Sequence, residues 1–531
     1  MKTSLTVIRT CLPALVSLFA TMATQSVLAG NDTWSGAGSD RFWKTPGNWI
    51  GNAAPVAGDS LFFGGTTHTS TTNNFATDTG FANITFSTPA GFFVLGGNEI
   101  VLSGNITNNQ VVTPQTISLP LSLSATPTVS VVSNGVLAIN GVISGNGGLS
   151  VAGSGSLNLN GNNTFTGNLT VNGSTVVVGQ NANLGAGNLV LDNGTLSATA
   201  NLSLSASRGI AVGPGWGGFN VPSGATLSFG GVIADNGGAG GLSKSGYGTL
   251  ALSGANTYSG PTTNAIGTLL LDFTQAGSPA GGIINPVSSL ELGGGNAGGG
   301  VENVAQLIMA GGVAADVQNF AGTFSTFGGS AILATNRSGG TVNLGLGALS
   351  HSPGGTIAFV TPQASGGHVT TTSPNVNGIL GGYALISGDN NAASPYTDGG
   401  HTLILGTNYA AVDGSGNIVN FAGYSNVTAA STVASQITGS TGANVAINDA
   451  GGVAVVNIAS DNAGSTVDLN AIKWTTFSDG FDSVSIGAGN TLRLGKFGGI
   501  IRNGPTTSHA VYVGGENSTA QSGNGTSGSG D

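Results

Sequence analysis

Short runs of alternating apolar and polar residues, separated by turn formers, recur along most of the chain. Examples are Thr116 to Leu119, Val129 to Val132 and Gly135 to Ile139. Apolar residues at every second position give a strand one inward face, and the Asn-Gly and Gly-Asn pairs between such runs are typical of tight turns. The pattern therefore predicts an all-β chain built from many short strands.

One segment of this pattern occurs twice. Residues 149–178 align without a gap to residues 242–271, at an offset of 93 positions. The match combines a Leu-x-Leu strand, an Asn-Thr-aromatic triplet and several glycines, with Phe165 in the first copy answering Tyr258 in the second. Matching glycines alone carry little weight in a Gly-rich chain, but the joint match indicates a true repeat.

Each unit is too small to bury its own apolar face, so successive units must stack. Stacked turns of roughly 20–25 residues joined by a parallel ladder of backbone hydrogen bonds solve this problem. Gly and Asn suit the corners because they tolerate positive φ. The sequence thus predicts a parallel β-solenoid. A series of β-sandwiches is the alternative, and it would show hairpin turns at regular intervals.

The region after the predicted leader is rich in aromatic residues. Three of the five tryptophans lie within sixteen residues: Trp34, Trp43 and Trp49. Clustered rings can form a carbohydrate-binding platform, or they can cover the open end of a solenoid core. We favour the cap, because these aromatics alternate with turn residues and merge directly into strands. Residues 30–99 are therefore assigned to an N-terminal cap and the first strands.

The first 29 residues resemble an export signal. Lys2 and Arg9 precede a mostly apolar run from Cys11 to Ala23, and Val27-Leu28-Ala29 offers small or apolar residues before a cut. The apolar run is too short and too interrupted to be a comfortable membrane helix. Cys11 is the only cysteine, so the mature chain has neither disulfides nor thiolate metal sites.

Composition and charge narrow the class of protein further. Glycine accounts for 94 of 531 residues, and only 6% of residues are charged, against about 25% in typical soluble domains. Removing the predicted leader takes away Lys2 and Arg9 and no acids, which changes the net charge from −10 to −12. An acidic chain of this kind is not expected to bind nucleic acid or an anionic membrane.

Reactive residues are sparse. Residues 100–191 contain no Asp, Glu, Lys or Arg, which excludes that stretch from most acid–base chemistry. No His-Glu-x-x-His or Gly-x-Ser-x-Gly motif occurs, and the histidines are scattered. They are His68, His351, His368, His401 and His509. No catalytic, cofactor-binding or metal-binding residue is predicted.

Three groups of polar residues have the residue types of functional sites, but each is predicted to be structural. The first comprises Asp389, Tyr396, Asp398 and His401, whose spacing matches no ligand motif and whose turn formers explain it. The second, Asp413 to Asn417, is predicted to be a turn. The third is the densest basic group and is predicted to be a solvated face: Arg493, Lys496 and Arg502.

The run from Gly241 to Thr263, GLSKSGYGTLALSGANTYSGPTT, resembles the autotransporter-associated β-strand repeat. The copy at 149–170 matches more loosely, because it lacks the lysine and has Phe165 in place of tyrosine. The resemblance implies a right-handed parallel β-helix, pectin-lyase-like, exported as a passenger to the surface or medium of a Gram-negative-type bacterium, often for adhesion.

The chain departs from this family at its end. Residues 515–531 read as a low-complexity polar tail rather than a membrane barrel. We therefore expect the chain to be a fragment, with a possible link to an outer-membrane barrel. The predicted organisation is completed by a β-solenoid over residues 100–387 and a continuing solenoid with loop insertions over residues 388–514.

Two functions from different classes are consistent with these sequence features. The first is a non-catalytic exported passenger or scaffold, adhesive or structural, with an unknown surface or polysaccharide ligand. The second is a β-helical polysaccharide-active enzyme, a lyase or glycosidase, which rests on fold analogy alone. An enzyme of that kind needs clustered carboxylates or basic groups along one groove, and the chain is poorly supplied with both.

Overall fold

The computed structural model describes residues 29–293, 305–336, 339–362, 365–387, 396–398, 401–403, 408–429, 442–449, 455–458, 466–474, 482–486, 491–494, 500–502 and 511–515. Residues 1–28 of the predicted leader and the predicted tail beyond residue 515 lie outside these ranges. Within them the chain forms 51 strands and two 3-10 helices, Pro46–Asn48 and Asn181–Leu184.

The first strands in chain order are β1 (Asn31–Trp34), β2 (Ser60–Gly65), β3 (Ser70–Asn73), β4 (Thr79–Phe81), β5 (Ile84–Ala90), β6 (Val94–Gly97), β7 (Ile100–Leu102), β8 (Ile106–Asn108), β9 (Gln115–Ile117), β10 (Leu121–Leu123), β11 (Thr128–Val131), β12 (Val136–Ile139), β13 (Ile143–Gly145), β14 (Leu149–Gly153), β15 (Ser156–Leu159), β16 (Leu169–Asn172), β17 (Thr175–Val178), β18 (Leu189–Asp192) and β19 (Gly194–Ala198).

The middle strands are β20 (Leu202–Leu204), β21 (Ile210–Val212), β22 (Gly217–Asn220), β23 (Thr226–Phe229), β24 (Ile233–Asp235), β25 (Leu242–Ser245), β26 (Thr249–Leu252), β27 (Thr262–Asn264), β28 (Gly267–Asp272), β29 (Leu290–Leu292), β30 (Ala305–Gly311), β31 (Ala315–Asn319), β32 (Gly322–Ser325), β33 (Gly328–Asn336), β34 (Thr341–Gly345), β35 (Ala348–His351), β36 (Gly355–Val360), β37 (Gly367–Thr370) and β38 (Ala384–Ser387).

The last strands are β39 (Tyr396–Asp398), β40 (His401–Leu403), β41 (Asn408–Val412), β42 (Ile418–Asn420), β43 (Ser425–Ala429), β44 (Asn444–Asp449), β45 (Val455–Ile458), β46 (Thr466–Leu469), β47 (Ala471–Trp474), β48 (Asp482–Ile486), β49 (Thr491–Leu494), β50 (Ile500–Arg502) and β51 (Val511–Gly515).

The chain winds into a stack of coils, and successive strands of each coil belong to different sheets. The first sheet has the order β1-β2-β5-β8-β11-β14-β16-β18-β21-β24, and the second β3-β6-β9-β12-β15-β17-β19-β22-β25-β27-β29-β32-β35. Third positions in the coils form β4-β7-β10-β13 and later β20-β23-β26-β28-β30-β33-β36-β38, and β31-β34-β37 forms a further short sheet. Pairing among β1 to β38 is parallel throughout.

This architecture is a parallel β-solenoid, as the sequence predicts, and it excludes the series of β-sandwiches. The register gives the length of a coil. Leu149 lies opposite Leu169 and Leu169 opposite Leu189, so one coil takes 20 residues there. Ile210 lies opposite Ile233, which is a coil of 23 residues. Both values fall in the predicted range.

Alternation along each strand fills the interior with stacked aliphatic columns. In the second sheet Leu137, Leu157, Val176 and Leu196 face one another in successive coils. All four are fully buried. Burying a side chain of this kind contributes about 1.5–3 kcal/mol, and no coil can obtain that gain without a neighbour on either side. The columns therefore hold the coils together.

The N-terminal end of the stack is closed by residues 35–50. Ser35 N donates to Asn48 O at 2.8 Å, and Ile50 N donates to Thr33 O at 2.8 Å, so this segment pairs with the outer edge of β1. Trp43 N donates to the carbonyl of Thr72 in β3 at 3.0 Å. The segment therefore satisfies the free backbone edges of the first strands in two sheets, which is the task of a cap.

The cap buries the tryptophans that the sequence singles out. Trp34, Trp43 and Trp49 are 1%, 0% and 2% exposed. The ring centroids of Trp34 and Trp49 lie 5.2 Å apart in an edge-to-face arrangement, and those of Trp43 and Phe63 lie 5.6 Å apart. Sugar-stacking platforms need exposed ring faces, and these three rings are buried, which favours the predicted cap over a platform.

Near its far end the parallel ladder gives way to a hairpin. β38 pairs antiparallel with β41, and β41 pairs antiparallel with β42. Later strands form parallel sheets again, in the orders β43-β44-β47-β50, β45-β48-β51 and β46-β49. Tyr409 Oη on β41 donates to Ile472 O on β47 at 3.2 Å, which ties the hairpin to this second stack. The domain limits at 99, 387 and 514 stay predictions.

Candidate functional site

The two sequence repeats fold as the same unit. Residues 149–178 form β14 to β17, and residues 242–271 form β25 to β28. In each copy the first strand pairs with the third and the second with the fourth. A repeat therefore consists of two stacked pairs of strands. A corner of nine residues between the second and third strands takes the place of the third strand of a coil.

The copies occupy different faces of the coil. In the first copy the four strands alternate between the first and second sheets, whereas in the second copy they alternate between the second sheet and the sheet that begins at β20. The repeat is thus displaced by one face around the axis. Its fold depends on local pairing between adjacent coils rather than on a fixed place in the cross-section.

The corner of the first copy is organised by a buried asparagine. Asn163 Oδ1 accepts a hydrogen bond from Ile143 N in the preceding coil at 2.8 Å. Its Nδ2 donates to Asn183 O in the following coil at 2.5 Å. One side chain therefore satisfies backbone groups of both neighbouring coils, which continuous strands would otherwise pair.

The second copy repeats this arrangement. Asn256 Oδ1 accepts from Ile233 N at 2.9 Å, and Asn256 Nδ2 donates to Ile283 O at 2.9 Å. Ile143 and Ile233 are the isoleucines of the Gly-Val-Ile triplets that precede the two copies. The matching triplets and asparagines are therefore hydrogen-bond partners across one coil.

A glycine at each corner permits this close approach. A Cβ atom on Gly161 would lie 2.4 Å from the carbonyl oxygen of Gly141, and one on Gly254 would lie 1.9 Å from that of Gly231. Both distances are shorter than any normal contact. The close spacing of the coils explains why both copies have glycine at this position, without a catalytic or binding role.

The aromatic of each corner fills the interior. Phe165 and Tyr258 are fully buried. The hydroxyl of Tyr258 bonds Thr262 Oγ1 at 2.7 Å, and Thr262 Oγ1 in turn bonds Ser288 Oγ at 2.9 Å. Burial raises the pKa of Tyr258 far above its usual value. Its proton therefore stays in the hydroxyl chain, and the group is structural.

Lys244 of the second copy points into the stack. It is fully buried, and its Nζ donates to Ile266 O at 2.6 Å and also to Gly246 O. Burial lowers the pKa of Lys244 to about 7. Val151 takes this place in the first copy. The lysine head therefore closes a corner of the coil by binding backbone carbonyls.

Arg208 is a second buried cation, and sequence analysis did not single it out. Its Nη2 donates to Gly185 O at 2.6 Å, and its Nη1 donates to Gly187 O. Desolvation lowers its pKa. Between Lys44 and residue 337 the chain contains just two cations, Arg208 and Lys244. The sequence signal that could have identified Arg208 is its isolation, since it is the single charged residue between Asp192 and Asp235.

Two of the polar groups named in the sequence analysis lie partly outside the described residues. Strands β39 and β40 place Asp398 opposite His401 in an antiparallel pair, while Asp389 lies outside the described ranges. Arg493 and Arg502 lie on β49 and β50, which belong to different sheets, and Lys496 lies outside the described residues. Their interpretation as structural groups stays a prediction.

The turn predicted from Asp413 to Asn417 is present. Asp413 Oδ1 accepts hydrogen bonds from Ser415 N at 2.8 Å and Asn417 N at 2.9 Å. Asn417 Nδ2 also donates to Asp413 Oδ2 at 2.9 Å. This side-chain bond first, and then the two backbone bonds and the nearby charge of His368, lower the pKa of Asp413. Asp413 and His368 also line a groove of about 200 Å³. The carboxylate is already engaged by the turn, which leaves little for general-base chemistry.

Within the described residues no three or more His, Cys, Asp or Glu side chains gather as a metal-binding group. Among the same residues, no helix has both the length and the apolar content needed to cross a bilayer.

Comparison with known proteins agrees with this geometry. The profile of the Passenger-associated-transport-repeat family matches residues 149–178 and 242–271. The chain contains two passenger-associated-transport repeats. The boundaries coincide with those of the predicted repeats, which confirms the resemblance to the autotransporter-associated repeat. Each match ends within or at the close of its fourth strand, β17 or β28.

A curated relative is also named as an autotransporter. The chain is 45% identical over 83 residues to the adhesin BmaC autotransporter of Brucella suis biovar 1 (strain 1330). That stretch is 15% of this chain and 2% of the relative. The chain thus spans only a small part of the relative's length. No solved structure matches the chain significantly.

Proposed function

We propose that this protein is an exported, non-catalytic β-helical passenger that acts as an adhesive rod at the surface of a bacterium. The observation that carries the proposal is the pair of passenger-associated-transport repeats, each built into the coil stack. The similarity to a stretch of an autotransporter adhesin supports the adhesive role. The leader predicted at residues 1–29 supports export of this protein.

The outer face supplies groups suited to weak, repeated contacts. Thr128, Ser150 and Thr170 lie opposite one another on β11, β14 and β16 and form a hydroxyl ladder on the first sheet. Rungs of a sheet are about 4.8 Å apart. A row of neutral donors and acceptors at that spacing suits an extended polar polymer, and a polysaccharide is the ligand class that we favour.

The disposition of charged groups supports a non-catalytic role. Lys244 and Arg208 bind backbone carbonyls inside the stack. Asp413 is held by its own turn. A glycosidase or lyase requires titratable side chains that are free to reach substrate. We therefore rank the polysaccharide-active enzyme below the adhesive rod.

Adhesion is tested with the purified chain from residue 30 onward. Beads coated with this protein are expected to bind epithelial cells or polysaccharide-coated surfaces more than beads coated with an unrelated acidic protein. Soluble protein should compete for that binding. Adhesion no greater than that of the control beads on every surface would contradict the adhesive role.

Catalysis is tested on the same preparation. Incubation with neutral and acidic polysaccharides is expected to release no new reducing ends and no unsaturated products. Turnover that disappears in the Asp413→Asn variant would place an active site in the groove beside His368 and would overturn the non-catalytic proposal.

A further inference from the structure

The residue that follows the predicted leader makes a short contact with a carboxylate. Gly30 N lies 2.6 Å from Asp59 Oδ1, and the other carboxylate oxygen of Asp59 accepts from Val56 N at 2.7 Å. Asp59 is 4% exposed. Gly30 O also accepts from Ser60 N at 2.9 Å, so the backbone of Gly30 is fixed on both sides.

A second carboxyl group lies beside this contact. Asp32 stands opposite Leu61 in the pairing of β1 with β2, and Leu61 is buried in the core, so Asp32 is directed to the same side. Its pKa is raised to about 6, first by desolvation and then by its hydrogen bond to Asp59 and by the charge of Asp59. Asp32 Oδ2 is buried and has no hydrogen-bond partner within the described residues.

Two acidic groups therefore meet at the first coil, and no cation is among the groups that shift the pKa of Asp32. As part of a peptide bond, Gly30 N offers them one hydrogen and no charge. An α-amino group at the same atom would offer three hydrogens and a positive charge, since its ordinary pKa is about 7.7–8.0.

We propose that cleavage between Ala29 and Gly30 creates a cation that Asp59 captures, with Asp32 beside it, and that this ion pair fastens the first coil only in the processed protein. The proposal rests on the proposed export. Water adds across the Ala29–Gly30 peptide bond, catalysed by a signal peptidase of the exporting cell. Ala29 leaves as a carboxylate, and the new amine of Gly30 takes up a proton.

The position of the contact gives this ion pair a structural consequence. Gly30 directly precedes β1, and β1 ends at Trp34, one of the three buried tryptophans of the cap. Charge-assisted hydrogen bonds are roughly twice as strong as neutral ones. The ion pair therefore holds the strand on which the cap is built, and it forms only after the leader has been removed.

The test compares two purified proteins with defined N-termini, one starting at Gly30 and one at Ala29. Each α-amine is labelled with an amine-reactive reagent at pH 7, and the rate is read by mass spectrometry of the N-terminal peptide. The Gly30 amine is expected to react at least about tenfold more slowly, which corresponds to a pKa raised by one unit. Hydrogen exchange of residues 31–34 should also be slower in the Gly30 protein.

Asp59→Asn in the Gly30 protein is expected to restore most of the labelling rate, and Asp32→Asn part of it. Equal labelling rates in the two wild-type proteins would overturn the ion pair, whatever the fate of the variants. N-terminal sequencing of the exported protein is a separate measurement. A start at a residue other than Gly30 would overturn the proposal, whereas a chain kept uncleaved inside the cell would contradict the proposed export.

Discussion

At the scale of single residues, polar side chains inside the stack bind the backbone of neighbouring coils. Asn163 and Asn256 each bridge the coil before and the coil after their own. Arg208 and Lys244 bind carbonyl oxygens at corners. These are the positions where a strand is interrupted and where backbone groups would otherwise be buried without partners.

Asn256 offers the sharpest test of this role. The Asn256→Ala variant leaves Ile233 N without its acceptor, whereas Ile283 O keeps the hydrogen bond from the backbone N of residue 256. One unsatisfied buried group costs about 1–3 kcal/mol. Hydrogen exchange of peptides that cover residues 229–286 is expected to accelerate strongly. Asn236→Ala is the control, because Asn236 is exposed, and it should change nothing. Equal exchange in the two variants would refute the bridging role.

Lys244 predicts a dependence of stability on pH. The unfolded chain holds the lysine proton up to about pH 10, whereas the folded chain holds it only to about pH 7. The unfolded state therefore binds more protons between these values, and the folded state gains stability as pH rises from 7 to 10, by up to about 1.4 kcal/mol per unit.

The measurement is the local opening free energy of residues 242–271, from hydrogen exchange at pH 7 and pH 9.5 after correction for intrinsic rates. The wild type should gain stability at the higher pH relative to Lys244→Met. The Lys44→Met variant controls for general effects of charge removal. A wild type and a Lys244→Met variant with the same pH dependence would show that Lys244 stays charged when folded.

At the scale of elements, the repeat is a pair of stacked two-strand turns joined by a corner. The alternating pattern and the match between copies predicted the strands and the length of a coil. They did not predict the face on which a copy lies. That face depends on which strand of the three-strand coil the corner replaces. In the first copy it replaces the third strand, and in the second copy it replaces a strand of the first sheet.

The cap is the other element that carries a prediction. Trp43 is fully buried and its indole nitrogen donates to Thr71 Oγ1 at 2.9 Å. Truncation of a buried aromatic side chain costs about 3–5 kcal/mol. Trp43→Ala is therefore expected to expose the first coils to limited proteolysis, while the coils beyond β20 stay resistant.

Ile50→Ala is the matched control, since Ile50 lies in the same segment and is 66% exposed. Its digestion pattern should equal that of the wild type. If Trp43→Ala were as resistant as the wild type, the aromatic cluster would not be a stabilising cap.

At the scale of the whole molecule, sequence patterns were informative wherever structure is local. Strand alternation, turn residues and the repeat predicted a solenoid. The partners of buried polar residues could not be predicted, because they lie a full coil away and that distance varies. Asn256 reaches Ile283 across 27 residues, and Asn163 reaches Asn183 across 20. The hairpin of β41 and β42 is local, and the sequence predicted its turn from Asp413 to Asn417. It did not predict the antiparallel pairing, because the two strands have the same pattern as the parallel ones.

The absence of cysteine after Cys11 permits one direct test of the central claim, that a β-helix of this register is displayed outside the cell. Two single-cysteine variants are made on β16: Asn172→Cys, at an exposed position, and Val171→Cys, at a buried neighbour. Intact bacteria that carry each variant are treated with a maleimide that does not cross membranes, before and after denaturation. We predict that Asn172→Cys is labelled on intact cells and that Val171→Cys is labelled only after denaturation. Equal labelling of both on intact cells would contradict the fold, and labelling of neither before lysis would contradict display at the surface.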